Sequence, residues 1–211
     1  MKTRSHLLIF VPVAAFAALA GMGVAHFLSG PTQEDKAETR ALVLQAPRAL
    51  PEFLLTDHRQ QPFGPDRLQG HWTLLFFGFT HCPDVCPTTL NTLAGMTGRL
   101  ADLPPETRPA VVMISVDPMR DTVEKLSAYV PFFDPEFVGV TGDMGEILTL
   151  TRGLGVAFAY QPAGDGTEYT VEHTASVFLI DPRGRLAAIF NTPHRVEELD
   201  SEYRLIMRQH G

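Results

Sequence analysis

From Pro51 onward the chain alternates apolar runs with turn-forming residues, which predicts strands interleaved with helices. Phe53–Leu55 and Gln61–Phe63 bracket the polar stretch Asp57–Gln60 as a short hairpin, and Thr73–Phe79 is a longer strand rich in phenylalanine. After Pro87, Leu90, Leu93, Met96 and Leu100 recur at helical spacing until Pro104-Pro105 stops the run. Val111–Val116 reads as a fully buried strand. Asp121 and Glu124 have the spacing of a capping box for a helix carrying Leu126 and Tyr129, and Phe137–Val140 is a further short strand. Asp143 with Glu146 opens a helix through Ile147, Leu150 and Leu154 that Gly153 or Gly155 ends. Ser176–Ile180 and Leu186–Phe190 flank the turn Asp181-Pro-Arg-Gly184, and Val196, Leu199, Tyr203 and Ile206 mark a last amphipathic helix.

This order predicts an α/β, thioredoxin-like fold with an N-terminal β-hairpin, built as one domain over residues 51–211. A chain of 211 residues is the right size for one such core. No internal repeat competes with that organisation.

The pattern differs before Pro51. Leu7–Leu28 contains no Asp, Glu, Lys or Arg and follows Lys2 and Arg4. A helix of that length is roughly 33 Å long, enough to cross a hydrocarbon core of about 30 Å. It predicts a single transmembrane helix at 7–28, an uncleaved anchor rather than a cleaved signal; cleavage would fall near Ala20–Ala25. The basic residues at its N-terminal side keep residues 1–6 cytoplasmic and export the rest, in a bacterium across the inner membrane into the periplasm. Residues 29–50 are polar and irregular and read as a linker, with a span of roughly 25 Å if flexible.

Charge narrows the partners. With 24 acidic against 17 basic residues, and two of the basic ones before the anchor, the exported part is strongly acidic, which argues against nucleic acid. An oxidising compartment would receive the two cysteines, Cys82 and Cys86.

Those cysteines lie in 76-FFGFTHCPDVCPTTL-90, where the strand at Thr73–Phe79 meets the following helix. Exposed N–H groups at a helix N-terminus stabilise thiolate, the form that attacks disulfides and binds metals. Pro83 and Pro87 fit such a position, because the first helical turn does not need their missing N–H groups. A structural disulfide, a redox dithiol and half of a metal site all use two thiols. Stapling is the weakest, since closing so short a loop removes little unfolded-state entropy. Side chains four apart on a helix lie about 5–6 Å apart at Cβ against about 3.5–4.5 Å in a disulfide, so the spacing suits a shared metal ion somewhat better than disulfide cycling, and leaves both open.

Further donors must come from elsewhere. His6 and His26 belong to the anchor region, while His58, His71, His81, His173, His194 and His210 remain. His81 adjoins Cys82, but neighbouring side chains in a strand-to-turn segment diverge. His173, in Tyr169-Thr-Val-Glu-His-Thr-Ala175, precedes a central strand and is the stronger candidate, placed on a loop that Gly164-Asp-Gly166 would let swing. Asp84 between the cysteines reads equally as a turn residue or a partner contact. Asp117, Arg120 and Asp121 read as an Arg–Asp pair plus a helix cap at the same end of the fold.

The motifs Phe77-Gly-Phe-Thr-His-Cys-Pro-Asp-Val-Cys-Pro-Thr88, Ser115-Val-Asp-Pro-Met-Arg-Asp-Thr122, Leu126-Ser-Ala-Tyr129 and Val171-Glu-His-Thr174 together resemble, in order, those of the Sco/SenC family. That resemblance implies a copper-binding metallochaperone that helps to assemble the dinuclear copper centre of cytochrome c oxidase subunit II. It implies Cys82, Cys86 and His173 as copper ligands, with a copper donor, a thiol reductant and the oxidase subunit as partners of a monomer. Two thiolates and an imidazole suit copper, with zinc the main rival. A thiol–disulfide reductase acting on a partner's cysteines is the alternative. A peroxiredoxin-like peroxidase fits less well, because Phe79 stands where that chemistry places a threonine. A general thioredoxin fits less well too, because three residues separate the cysteines where it has two, and Thr174 stands where its proline is expected.

Overall fold

The structure is a computed structural model that describes residues 40–163 and 168–210. Ten strands and four α-helices are formed by them: β1 Leu42–Ala49, β2 Leu55–Asp57, β3 Pro62–Phe63, β4 Thr73–Gly78, α1 Val85–Arg99, β5 Ala110–Ser115, α2 Val123–Tyr129, β6 Val138–Thr141, α3 Met144–Leu154, β7 Phe158–Ala163, β8 Glu168–His173, β9 Val177–Ile180, β10 Arg185–Phe190 and α4 Val196–His210. Eight strands share one sheet in the order β1-β10-β9-β4-β5-β6-β2-β3. β4, β5 and β6 run parallel, β9 adds antiparallel beside β4, and β10 adds antiparallel beside β9. This is the expected thioredoxin-like core, with the predicted β2–β3 hairpin joined to β6.

β4 occupies the centre because every residue of its TLLFFG sequence is buried. Such a run has no polar face to show to water. The sheet's covering helices bury one stripe each: Leu90, Leu93 and Met96 on α1, Leu199, Tyr203 and Ile206 on α4. Trp72 meets Tyr203 edge to face at 6.1 Å, at the start of β4. α3 ends where Gly155 takes φ 76°, a left-handed conformation that glycine adopts without a Cβ penalty.

Three expectations are corrected. The stretch Leu42–Ala49, expected within an irregular linker, is an edge strand antiparallel to β10, with a break in register between Val43 and Arg48. Asp121 does not cap α2; Thr122 does, its side chain accepting from Lys125 N. His173 closes β8 instead of lying on a loop, and β7 and β8 form a separate two-stranded ribbon paired from Phe158–His173 to Ala163–Glu168. The anchor at 7–28, the residues around it and Gly164–Gly166 lie outside the described residues. Among the described residues no helix is long and apolar enough to cross a membrane.

Candidate metal centre

β4 ends at Gly78, and the turn Phe79–Asp84 carries Cys82 into the start of α1. Asp84 is the N-cap residue, so Cys86 is the second residue of the helix and Pro87 the third, inside the first turn as its missing N–H requires. Cys82 is half-buried, Cys86 fully buried, and both are free thiols. The orphan amide of Cys86 donates to Cys82 Sγ at 3.4 Å.

The third group arrives from β8. Its outward residues Glu168, Thr170 and Glu172 alternate with Tyr169, Val171 and His173, which turn toward the body. The His173 ring is wedged edge-on against Phe76 at 6.1 Å and Phe79 at 5.8 Å between centroids. Its Nδ1 lies 3.0 Å from the Thr174 carbonyl and its Nε2 3.4 Å from Cys86 Sγ. An Nδ1–H donating to that carbonyl leaves the Nε2 lone pair facing the sulfurs. One donor atom each of Cys82, Cys86 and His173 falls within 4.8 Å of the others, a spacing that one ion can bridge. Among the described residues this is the one His/Cys/Asp/Glu cluster so gathered.

The two thiols share a proton unequally. Cys82 is driven well below the ordinary thiol range, mainly by the hydrogen bond it accepts from Cys86, with the amides of Cys86 and Asp84 assisting against burial. Cys86 moves far the other way, because it is the donor in that bond, is buried and faces the charges of Cys82 and Asp121. The half-exposed sulfur is thus the more acidic of the two. A metal that takes both sulfurs must release the remaining proton.

His81 is not brought into the cluster. Its Nδ1 faces Thr80 Oγ1 at 3.2 Å and Asp121 Oδ1 at 3.9 Å, with the side chain 41% exposed. Asp84 stays in the turn and accepts a bond from Thr88 Oγ1 at 3.3 Å. Asp117 and Arg120 pair as expected. Asp121, fully buried, instead accepts from Thr80 N at 3.0 Å, Thr80 Oγ1 at 2.6 Å and Ser115 Oγ at 2.7 Å. It thereby ties the cysteine turn to the end of β5.

Sequence reasoning missed this tie, the Phe76–Phe79 wedge and the tyrosines of the ribbon. The alternation Tyr169, Val171, His173 was the available signal for the last of these. Gly78 was missed as well: a Cβ there would meet Phe76 Cε1 at 2.8 Å and Cys86 Sγ at 2.9 Å.

Known proteins resemble this chain in sequence and fold. The family profile SCO1/SenC covers residues 43–208. The bovine (Bos taurus) mitochondrial protein SCO2 homolog is 32% identical over 203 residues, which is 95% of this chain and 74% of that one. Copper-bound ScoI of Arabidopsis thaliana superposes with a TM-score of 0.72 at 32% identity, over 76% of this chain and 98% of that one. Copper-bound ScoI of Bradyrhizobium japonicum gives a TM-score of 0.66 at 35% identity, over 74% and 98% of the respective chains. The fold, the ordered motifs and the profile match over most of the described residues agree: this chain belongs to the SCO1/SenC family.

Proposed function

We propose that this protein carries copper on Cys82, Cys86 and His173 and delivers it during maturation of the dinuclear copper centre of cytochrome c oxidase subunit II. The observation that carries the proposal is the convergence of two sulfurs and one imidazole nitrogen within 4.8 Å, from segments far apart in sequence. The donor set is soft enough for Cu(I), and its nitrogen also serves Cu(II). The cysteine turn makes Cys82 the more acidic thiol, and the contact of His173 Nδ1 with the Thr174 carbonyl turns Nε2 toward the sulfurs. Copper is cargo here rather than a resident cofactor, so the protein acts as a metallochaperone and not as an enzyme.

The apolar stretch Leu7–Leu28 behind Lys2 and Arg4 supports a single-pass tether in the inner membrane, with the copper-binding domain in the periplasm and close to a membrane-bound acceptor. Delivery requires a copper donor, an acceptor such as the oxidase subunit, and a reductant for the thiols.

The test is copper stoichiometry of the reduced protein. One copper per chain is expected, lost in Cys82→Ser and in Cys86→Ser and retained in His81→Ala. Full affinity in both cysteine variants would refute the site.

A second reading, reduction of a partner's disulfide, is favoured by one observation: of the two free thiols Cys82 is half-exposed and accepts a hydrogen bond from the Cys86 amide, while Cys86 is buried. That is the division of labour between an attacking and a resolving thiol. Reduction of a disulfide-bonded acceptor by the metal-free protein measures it directly.

A further inference from the structure

The third donor stands on a ribbon that shares no strand pairing with the eight-stranded sheet. Something other than a β-ladder must therefore hold His173 against the sulfurs. At the base of the ribbon, Thr174 N donates to the Ala157 carbonyl at 2.9 Å and Ala157 N to Thr174 Oγ1 at 3.1 Å. These bonds close the ribbon on itself and do not tie it to the body.

The tie to the body runs through the loop that follows β5. Arg120 uses its fork on two segments at once: Nε on Asp117 Oδ2 at 2.5 Å, and Nη1 on the Tyr169 carbonyl at 3.0 Å. Its guanidinium carbon lies 3.8 Å from the centroid of the Tyr169 ring, stacking distance for a cation on an aromatic face. Tyr169 closes the circuit, its hydroxyl donating to the other oxygen of Asp117 at 2.8 Å. Asp117 itself is fully buried, so both its oxygens need partners, and these two supply them. Tyr160 on β7 adds a bond to the Val116 carbonyl at 2.7 Å.

Two features link that circuit to the metal centre. Tyr169 and His173 are four residues apart on one strand and so face the same way, with the buried Val171 between them. Phe79, against whose ring His173 rests, also lies under the Arg120 guanidinium at 5.9 Å. Arg120 thus touches both the strand that bears the histidine and the aromatic wall that seats it, without reaching a sulfur or the imidazole itself.

We propose that Arg120 is a positioning residue for the metal centre: clamped by Asp117, it latches Tyr169 and Phe79 and so holds the β7–β8 ribbon with His173 Nε2 over the cysteine pair. The proposal rests on the reading of His173 as a copper ligand. The geometry assigns Arg120 a role that a plain surface ion pair would not have. Arginine is suited to it and lysine is not, because one planar fork bonds a carboxylate, bonds a carbonyl and stacks on a ring together.

The test is Arg120→Gln in the full-length chain, read in two ways. In the metal-free protein, amide hydrogen exchange at Val171–His173 rises at least tenfold, while amides of β4 and β5 keep their protection. In the copper-loaded protein, Cu(II) affinity falls about ten- to hundredfold, the range for a residue that orients a ligand without binding the metal, and the visible spectrum moves toward that of His173→Ala. Arg120→Lys restores neither fully. Tyr169→Phe, which removes one hydroxyl and keeps the ring, shows both effects in the same direction and a smaller size, and carries the test if Arg120→Gln does not fold. Unchanged exchange on the ribbon overturns the latch. Faster exchange with an unchanged Cu(II) spectrum, in a protein whose spectrum does respond to His173→Ala, overturns the positioning role. A spectrum that ignores His173→Ala removes that residue from the metal, and the proposal with it.

Discussion

Gly78→Ala is a single-methyl perturbation on β4, with Cys82 and Cys86 both left in the sequence. The new Cβ would lie 2.9 Å from Cys86 Sγ and 2.8 Å from Phe76 Cε1, with Met113 Cε at 3.4 Å behind them. The last of these is an ordinary contact; the first two are overlaps. Relieving the sulfur contact to that same separation moves Cys86 Sγ by roughly 0.5 Å, against a tolerance of about 0.2 Å in metal–ligand distances. Phe76 is fully buried and shares its ring contact with His173, so its retreat disturbs the opposite side of the site as well. Overpacking of this kind costs about 1–3 kcal/mol of stability. The expected outcome is a urea midpoint lowered by that amount, a shifted Cu(II) absorption and a copper affinity reduced on the order of tenfold, with stoichiometry still one per chain. Gly98→Ala is the control, because a Cβ at Gly98 meets nothing within 4 Å and the residue sits inside α1, where alanine is preferred. Wild-type stability together with a wild-type copper spectrum in Gly78→Ala would refute the claim that this glycine makes room for Cys86 Sγ in the proposed site.

Oxidation of Cys82 and Cys86 to a disulfide is expected to abolish copper loading, since no thiolate remains; equal loading of the fully oxidised chain would put the metal elsewhere. His58 governs part of the pH dependence of stability. It is buried, accepts a bond from Gly139 N at 2.8 Å, and has a pKa lowered by burial first and by the Arg59 charge second. The unfolded chain then takes up the proton near the ordinary value of about 6.5 while the folded one still resists it. Stability from this residue is therefore complete above that pH and falls as the solution is acidified toward the lowered folded pKa. Urea midpoints at pH 7 and pH 5 should differ in the wild type and differ less in His58→Gln; identical slopes would refute the assignment.

The parts of the fold that were legible are those whose local pattern and tertiary role coincide. The uninterrupted TLLFFG run announces a strand covered on both faces, and Pro87 announces the first turn of the helix that follows it. β1 was illegible because LVLQAPRA leaves most of its residues at the surface, and only its pairing with β10 makes it a strand. The ribbon hid for a related reason: Pro162 interrupts its first strand, and its alternation runs through polar residues. Asp121 misled because its spacing to Glu124 imitates a cap, whereas Thr122 takes that task and frees the carboxylate to turn inward. Its partners Thr80 and Ser115 come from two different strand ends, a proximity that no local window contains. The two cysteines were plain in the sequence as chemistry, while the place of His173 beside them depends on Phe76 and Phe79, almost a hundred residues earlier.

The ribbon's base has a consequence for what evolution or a designer can do with this protein. Because Ala157 and Thr174 are bonded back to back, the chain leaves the domain and returns to it at nearly one point. Strands β7 and β8 between them make a cassette that is seated on the domain through Tyr160, Tyr169 and the buried Val171. A hairpin that keeps those two tyrosines but bears methionine, glutamate or a third cysteine at the place of His173 leaves the register of the main sheet untouched, because it shares no pairing with it. In the proposed site the dithiol is fixed hardware of the domain while the third donor rides on a separate hairpin, so metal preference in such a scaffold can diversify by swapping that one plug-in part.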